Sequence, residues 1–260
     1  MNKYLIIPDR FHIEKSLKLV KEYNVGFELN DFYFPAVLRD KSKTEEILSF
    51  YSNIDMPDIC TSHGDFFDVT IFSIDKDIAD ISKKRMIQSM NIAKKLRLSG
   101  VVFHSNINHD LTAGNYHNGW LVANDEFLHE LCSKYPKINI YIENMFDKVP
   151  NDMLKLAEKM ADVKNFGICL DYSHAALYGK NVDEWVEVLS PYIRHVHIND
   201  HDGQSDLHLA IGDGITDWNH FNEQRIKYFN DATILIECST EDTSLIVSIG
   251  TGFTYRLLDA

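Results

Sequence analysis

Short runs of apolar residues recur along the whole chain, and the segments between them carry apolar residues at helical spacing. Runs of this length rich in Val, Ile, Phe and Tyr are typical of buried strands, whereas spacing of three to four residues is typical of amphipathic helices. The pattern predicts eight strands, at residues 4–7, 25–29, 58–63, 101–105, 139–143, 166–171, 194–198 and 233–238. It predicts helices at residues 13–22, 44–51, 76–98, 118–134, 152–161, 182–189 and 218–228, with a weaker last helix near 242–258.

Strand and helix therefore alternate eight times, which is typical of right-handed parallel βαβ units. Eight such units in 260 residues predict an α/β fold, a (β/α)₈ TIM barrel forming one domain over residues 1–260. The alternative is an open doubly wound sheet. Dinucleotide binding has little support, because no glycine-rich fingerprint follows the first strand and Gly212-Asp213-Gly214 comes late and does not directly follow a strand.

Composition narrows the class of protein. The chain has 26 basic and 39 acidic residues and a formal charge of −13, so it lacks the basic footprint of a nucleic-acid-binding protein. Its 45% of apolar residues supports a sizeable core, and no apolar run approaches the ~18 residues of a membrane span. The four cysteines are not in metal-type spacing, which predicts reduced, buried thiols and a cytoplasmic protein.

The ends of the predicted strands carry ionisable side chains of metal-ligand types. In a barrel the carboxyl ends of all strands meet at one mouth, which is where active sites lie. Carboxylates and histidines would be costly to bury together there unless they bind a cation. Ligands without cysteine suit Zn, Mn, Mg, Co or Fe, and the choice among these divalent metals stays open. The residues at these positions are Glu28, His63, His104, Glu143, Asp171, His197 and Glu237.

The ordered set of motifs resembles the xylose-isomerase-like TIM barrel superfamily, and the resemblance covers most of the chain. The stretches that carry it are His63-Gly64-Asp65-Phe66-Phe67-Asp68, Val102-Phe103-His104, Ile142-Glu143-Asn144, Cys169-Leu170-Asp171-Tyr172-Ser173-His174, His195-Val196-His197, Asp206-Leu207-His208, Gly212-Asp213-Gly214 and Ile236-Glu237. The superfamily includes sugar and sugar-phosphate isomerases and epimerases as well as AP endonucleases of the endonuclease-IV type.

The two branches imply different numbers of metal ions. In the epimerase branch, the positions matching Glu143, Asp171, His197 and Glu237 hold one divalent metal and the two glutamates move the proton. The position matching His174 contacts the substrate there. The endonuclease branch adds two metals, whose further ligands would be His63, His104, His174, Asp206 and His208.

The strand-end glutamates and the acidic composition favour a metal-dependent isomerase or epimerase acting on a small sugar or sugar phosphate. The alternative is a metal-dependent phosphodiesterase with up to three zinc ions, and a third class is a barrel that binds without catalysis. The charge of −13 disfavours a nucleic-acid partner without excluding it. We expect no membrane partner, and a homo-oligomer is compatible with the sequence. Predicted substrate contacts are His174, Glu28, Phe66 and Trp218.

Overall fold

A computed structural model describes residues 3–112, 114–179 and 181–238, and in it eight parallel strands close into a barrel in chain order. The last strand pairs with the first, Ile6 lying opposite Ile236, so the sheet has no edge. This closure confirms the predicted (β/α)₈ barrel, and the open doubly wound alternative is wrong. The strands are β1 (Lys3–Ile6), β2 (Gly26–Leu29), β3 (Cys60–His63), β4 (Gly100–His104), β5 (Asn139–Glu143), β6 (Phe166–Asp171), β7 (Ile193–Ile198) and β8 (Thr233–Ile236).

Helices follow the strands and surround the barrel. They are α1 (Ile13–Tyr23), α2 (Pro35–Arg39), α3 (Lys41–Ser52), α4 (Lys76–Leu96), α5 (Tyr116–Lys134), α6 (Asn151–Lys159), α7 (Tyr172–Leu177), α8 (Val182–Leu189) and α9 (Trp218–Tyr228). Seven correspond to predicted helices, whereas α2 and α7 have no predicted counterpart. The helix predicted near 242–258 lies outside the described residues.

Side-chain caps explain several helix starts. Asp40 accepts a hydrogen bond from the backbone N–H of Lys43, so α3 begins three residues before the predicted start. Asp75 caps α4 in the same way through the N–H of Asp77. Such a cap satisfies a backbone N–H that the first helical turn leaves without a partner.

The apolar core has two parts. The larger lies between the strands and the helices, and a small second cluster of Val102, Tyr141 and Cys169 fills the interior of the barrel. Each of the three precedes a strand-end residue of metal-ligand type by two positions and therefore shares its inward face. At Gly26 in β2, a Cβ would lie 2.2 Å from the backbone oxygen of Ile59. Only glycine allows β2 this close approach.

Two further predictions concern the thiols and the membrane. All four cysteines are free and buried, as predicted. Among the described residues, no helix combines the length and the apolar character that crossing a bilayer requires.

Candidate metal centre at the barrel mouth

Four side chains from four strand ends converge at the mouth of the barrel. Glu143 ends β5, Asp171 ends β6, His197 lies in β7 and Glu237 directly follows β8, and one ligand atom from each lies within 4.8 Å of the others. All four are buried. We call this set the mouth centre.

Hydrogen bonding within the mouth centre is incomplete. Glu143 Oε2, Asp171 Oδ2, His197 Nδ1 and Glu237 Oε2 are buried atoms with no hydrogen-bond partner among the described residues. The imidazole Nδ1 lies 3.5 Å from the Glu143 oxygen and 3.3 Å from the Glu237 oxygen. These separations are close to the ~3.4 Å between tetrahedral ligands that bind a metal at about 2.1 Å. Since unpaired buried polar atoms are costly, the set fits a divalent cation.

A layer of polar side chains beneath the mouth centre orients His197. Its Nε2 lies 3.1 Å from Glu28 Oε1, which leaves Nδ1 facing the other ligands. The second oxygen of Glu28 accepts hydrogen bonds from Thr61 Oγ1 at 2.6 Å and from His195 Nε2 at 3.0 Å. His195 Nδ1 lies 2.5 Å from the hydroxyl of Thr233. An imidazole held through its far nitrogen by a carboxylate is the usual arrangement behind a metal ligand.

Two further ligand groups flank the mouth centre. His63 and His104 join Glu143 in the first flanking set, and His174, Asp206 and His208 form the second. Within the first set, the Nε2 atoms of His63 and His104 lie 3.1 Å apart. Within the second, His174 Nε2 lies 3.1 Å from Asp206 Oδ2 and His208 Nε2 lies 3.3 Å from Asp206 Oδ1.

Backbone carbonyls fix the tautomers of three flanking histidines. Nδ1 of His63 lies 3.0 Å from the oxygen of Gly64, that of His174 3.0 Å from the oxygen of Asn144, and that of His208 2.9 Å from the oxygen of Glu237. Because a carbonyl only accepts, each Nδ1 carries a proton, and Nε2 is the nitrogen that faces the cluster. At His174 and His208 the nearby carboxylates outweigh burial and raise the pKa to about 10, so a bound metal would take the place of the proton on Nε2.

Burial and charge shift the acidities in opposite directions. Burial raises the pKa of Asp171 to about 7, with the carboxylates of Glu143 and Glu237 adding to the rise against the cationic His174. At Glu143 burial is the largest effect and acts to raise the pKa, but the charges of His197 and His104 and the hydrogen bonds of His197 and His63 together outweigh it and hold the pKa well below its usual range. Burial lowers the pKa of His104 to about 3. A cation placed among these groups would favour the ionised carboxylates and neutral imidazoles.

A cavity of about 390 Å³ opens onto the mouth centre. Its wall includes Glu143, Glu237, His174 and the predicted substrate contact Phe66. The Phe66 ring stacks on His104 with ring centroids 4.3 Å apart. The cavity is therefore polar on its floor and aromatic on one side.

Two residues that were predicted to contact the substrate, Glu28 and Trp218, do not line the cavity, so the prediction is wrong for both. Glu28 is fully buried beneath His197 and is not on the cavity wall. Trp218 is also buried, and its Nε1 donates to Asp200 Oδ2 at 3.0 Å. The same carboxylate accepts from the N–H of Gly212, so Asp200 anchors the loop before α9.

Other cavity residues were not predicted from sequence. Asn30, Tyr33 and Met145 line the wall. They lie in the loops that directly follow β2 and β5, at the mouth of the barrel, so their place after these strands could have marked them as candidates. Tyr33 stacks on Phe66 with ring centroids 5.2 Å apart and so extends the aromatic side.

Comparison with known proteins decides the family. Residues 19–244 match the profile described as "Xylose isomerase-like TIM barrel". The chain belongs to this family. The resemblance stated from the motifs is thereby confirmed.

Individual relatives agree with this membership. Protein MJ1311 of Methanocaldococcus jannaschii is 29% identical over 186 residues, which cover 67% of this chain and 62% of that relative's length. The TTHB071 protein from Thermus thermophilus, soaked with ZnCl₂, has a TM-score of 0.75 and 19% identity, covering 98% of this chain and 99% of its own. A D-tagatose 3-epimerase-like protein also has a TM-score of 0.75, with 22% identity and 98% of each chain covered. At these identities the two structures show the common fold.

Proposed function

We propose that this protein is a divalent-metal-dependent isomerase or epimerase that moves a proton next to the carbonyl of a small carbohydrate. The observation that carries the proposal is that Glu143 and Glu237 are placed to contact both a metal and a substrate. Both belong to the mouth centre, and both line the cavity in which a substrate would lie. The name of the D-tagatose 3-epimerase-like structure supports the same class.

Glu143, Asp171, His197 and Glu237 would hold the cation. A bound divalent metal supplies Lewis-acid polarisation of the substrate carbonyl, a contribution of several kcal/mol. Mixed nitrogen and oxygen donors without sulfur suit zinc, manganese, cobalt or iron.

The proton transfer is assigned to the two glutamates. Glu143 and Glu237 both have a lowered pKa, because the neighbouring histidines, His197 foremost, together outweigh the effect of burial. Each glutamate is therefore ionised and able to accept a proton. One carboxylate removes the proton from the carbon beside the carbonyl. In an epimerase the other returns a proton on the opposite face, and such general acid–base steps contribute roughly 10²- to 10⁴-fold. His174 on the cavity wall would bind a substrate hydroxyl.

The charge of the cavity favours a free sugar over a sugar phosphate. Its described wall carries the carboxylates of Glu143, Glu237 and Asp206 and contains neither lysine nor arginine. Phosphate recognition usually uses arginine, lysine or helix N-termini. The N–H of Gly212 in the Gly-x-Gly loop is already bonded to Asp200.

Hydrolysis of a phosphodiester is the second candidate function. The observation that favours it is the orientation of His63, His174 and His208, each of which turns Nδ1 to a backbone carbonyl and Nε2 to a flanking set. Together with Glu143, Asp206 and His104 these groups could hold two further cations. Neighbouring metals stabilise both the attacking and the leaving oxygen in such reactions.

Hydrogen exchange in deuterated water tests the first proposal. Metal-loaded protein is incubated with a panel of ketoses and their phosphates, and deuterium next to the carbonyl is measured by NMR. We expect incorporation with a free ketose, at least 100-fold slower in Glu143→Gln and Glu237→Gln, with the metal content of each variant measured. Failure of every sugar to exchange would contradict the proposal.

Abasic duplex DNA tests the second candidate in parallel. Incision that depends on Zn²⁺ and is abolished in His63→Ala and His208→Ala would establish a phosphodiesterase. Incision that persists in both variants would indicate a contaminating nuclease.

A further inference from the structure

A second group of metal-ligand side chains lies in the loops that follow β4 and β5. His109 lies in the β4–α5 loop, His117 in the first turn of α5 and Asp152 in the first turn of α6. One ligand atom from each lies within 4.8 Å of the others. We call this set the outer cluster, and it shares no residue with the mouth centre.

Two buried polar atoms at the outer cluster have no hydrogen-bond partner among the residues described. One is Nε2 of His109, whose side chain is 6% exposed, and the other is Oδ1 of Asp147, whose side chain is fully buried. The two atoms lie 3.5 Å apart, too far for a good hydrogen bond and close to the spacing of two ligands on one metal. A cation bound at the outer cluster would satisfy His109, and Asp147, which lies outside the group of mutually close ligand atoms, would have to move toward it to become a ligand.

The remaining contacts leave the required donor atoms available. Lys155 Nζ lies 3.2 Å from Asp152 Oδ1, so Oδ2 is the oxygen that faces His117, at 2.6 Å from Nδ1. The ring of His117 lies against that of His109 with centroids 5.5 Å apart at 73°. Two imidazoles and one carboxylate are three of the four ligands that a tetrahedral zinc site takes, and the Asp147 carboxylate is the nearby candidate for the fourth.

We propose that the outer cluster binds a divalent transition metal, with zinc the best chemical match, through His109, His117 and Asp152, and with Asp147 as the fourth ligand. The ion would replace the direct contact between His117 and Asp152. Its ligands come from the β4–α5 loop, the β5–α6 loop and two helix starts, so it would tie these segments together.

The site also connects to the cavity wall. Asp147 Oδ2 accepts hydrogen bonds from Ser105 Oγ at 2.7 Å and from the backbone N–H of Met145 at 2.8 Å. Met145 lines the cavity next to the mouth centre. A metal on Asp147 would thus fix the loop that carries Met145, a positioning role and not a catalytic one.

Metal stoichiometry of the full chain tests the proposal. The protein is loaded with Zn²⁺, passed through a desalting column and analysed by mass spectrometry of the metal, in a His197→Ala background that weakens the mouth centre. We expect His117→Ala and Asp152→Asn each to lose one further equivalent of zinc per chain. His129→Ala is the matched control, because His129 lies on the same helix, is exposed and contacts the carbonyl and carboxylate of Asp125.

The outcomes separate this site from the proposed function. His117 is about one third exposed, and Asp152→Asn preserves shape, so both variants should fold, which circular dichroism checks. Zinc content that stays unchanged in both variants would overturn the proposal, as would an equal loss in His129→Ala. Failure of sugar exchange leaves this stoichiometry unaffected, because the outer cluster shares no ligand with the mouth centre.

Discussion

Replacing Glu28 by glutamine tests whether the layer beneath the mouth centre determines its metal affinity. The carboxylate is fully buried and contacts three groups, His197 Nε2, His195 Nε2 and Thr61 Oγ1, at 2.6 to 3.1 Å. Glutamine keeps the shape but removes the charge and half of the accepting capacity. The imidazole of His197 then loses the partner that increases its basicity.

The expected loss follows from comparable metal sites. Removing a carboxylate behind a ligating histidine weakens metal binding by about 10- to 100-fold. At 1.36 kcal/mol for each factor of ten, this equals roughly 1.4 to 2.7 kcal/mol. Glu28→Ala would be more damaging, because an uncompensated buried partner costs about 3–5 kcal/mol. Glutamine therefore separates metal affinity from folding better than alanine does.

Competition with a chromophoric chelator measures the affinity for Zn²⁺, and the visible spectrum of the Co²⁺-loaded protein reports the ligand geometry. Glu45→Gln is the matched control, since Glu45 is exposed and paired with Lys95 far from the mouth. Urea unfolding of the metal-free proteins checks stability. An affinity for Glu28→Gln within twofold of the unchanged protein, with the same Co²⁺ spectrum, would refute the reasoning.

Two further predictions concern stability and pH. Gly26→Ala should reduce the free energy of unfolding by about 1–3 kcal/mol or more, because its Cβ would meet the backbone oxygen of Ile59, whereas Gly119→Ala has open space on α5 and should stabilise by up to ~1 kcal/mol. Urea denaturation compares the two variants. The hydrogen bond that Asp183 accepts from His220 Nε2 raises the pKa of His220. The stabilising effect of this bond is therefore complete below the unfolded pKa of about 6.5 and is lost as pH rises through the folded pKa. Asp183→Asn should lower that pKa toward its ordinary value, as NMR titration would show; an unchanged value would contradict the assignment.

The barrel could be predicted because its signal is repeated eight times along the chain. The helices α2 and α7 were missed because five or six residues are too few for an amphipathic period. No loop separates α7 from β6, since the side chain of Asp171 accepts the N–H of His174 and starts the helix at the strand end. Such a local cap leaves no periodic trace in the sequence.

The mouth centre was predicted because its residues lie at the ends of their strands, and Glu28 was misplaced because strand ends do not all reach the same depth in the barrel. Leu29 follows Glu28 in β2 as Ile198 follows His197 in β7, but Glu28 lies opposite Thr61, two residues before the strand-end His63. Its side chain therefore points inward one layer deeper than the ligands. The outer cluster has no such signal, because its side chains come from loops and helix starts whose approach depends on tertiary packing.

Which buried polar atoms at the mouth of the barrel have hydrogen-bond partners indicates how many cations bind there tightly. In the flanking sets the histidines find partners without a metal, since His63 and His104 contact each other and His174 contacts Asp206. The mouth centre contains five buried atoms that find no hydrogen-bond partner among the described residues, two of them on His197, whereas Asp206 Oδ1 is the one such atom that the flanking sets add. Because unmatched buried groups are the costly ones, the first cation gains most at the mouth centre, and the flanking sets gain less. Titration with Zn²⁺ should accordingly show that one equivalent of zinc binds tightly at the mouth centre and that Asp171→Asn loses it. Any zinc that depends on His104 should bind more weakly and only at higher concentration. Simultaneous filling of all sites with equal affinity would instead favour the phosphodiesterase.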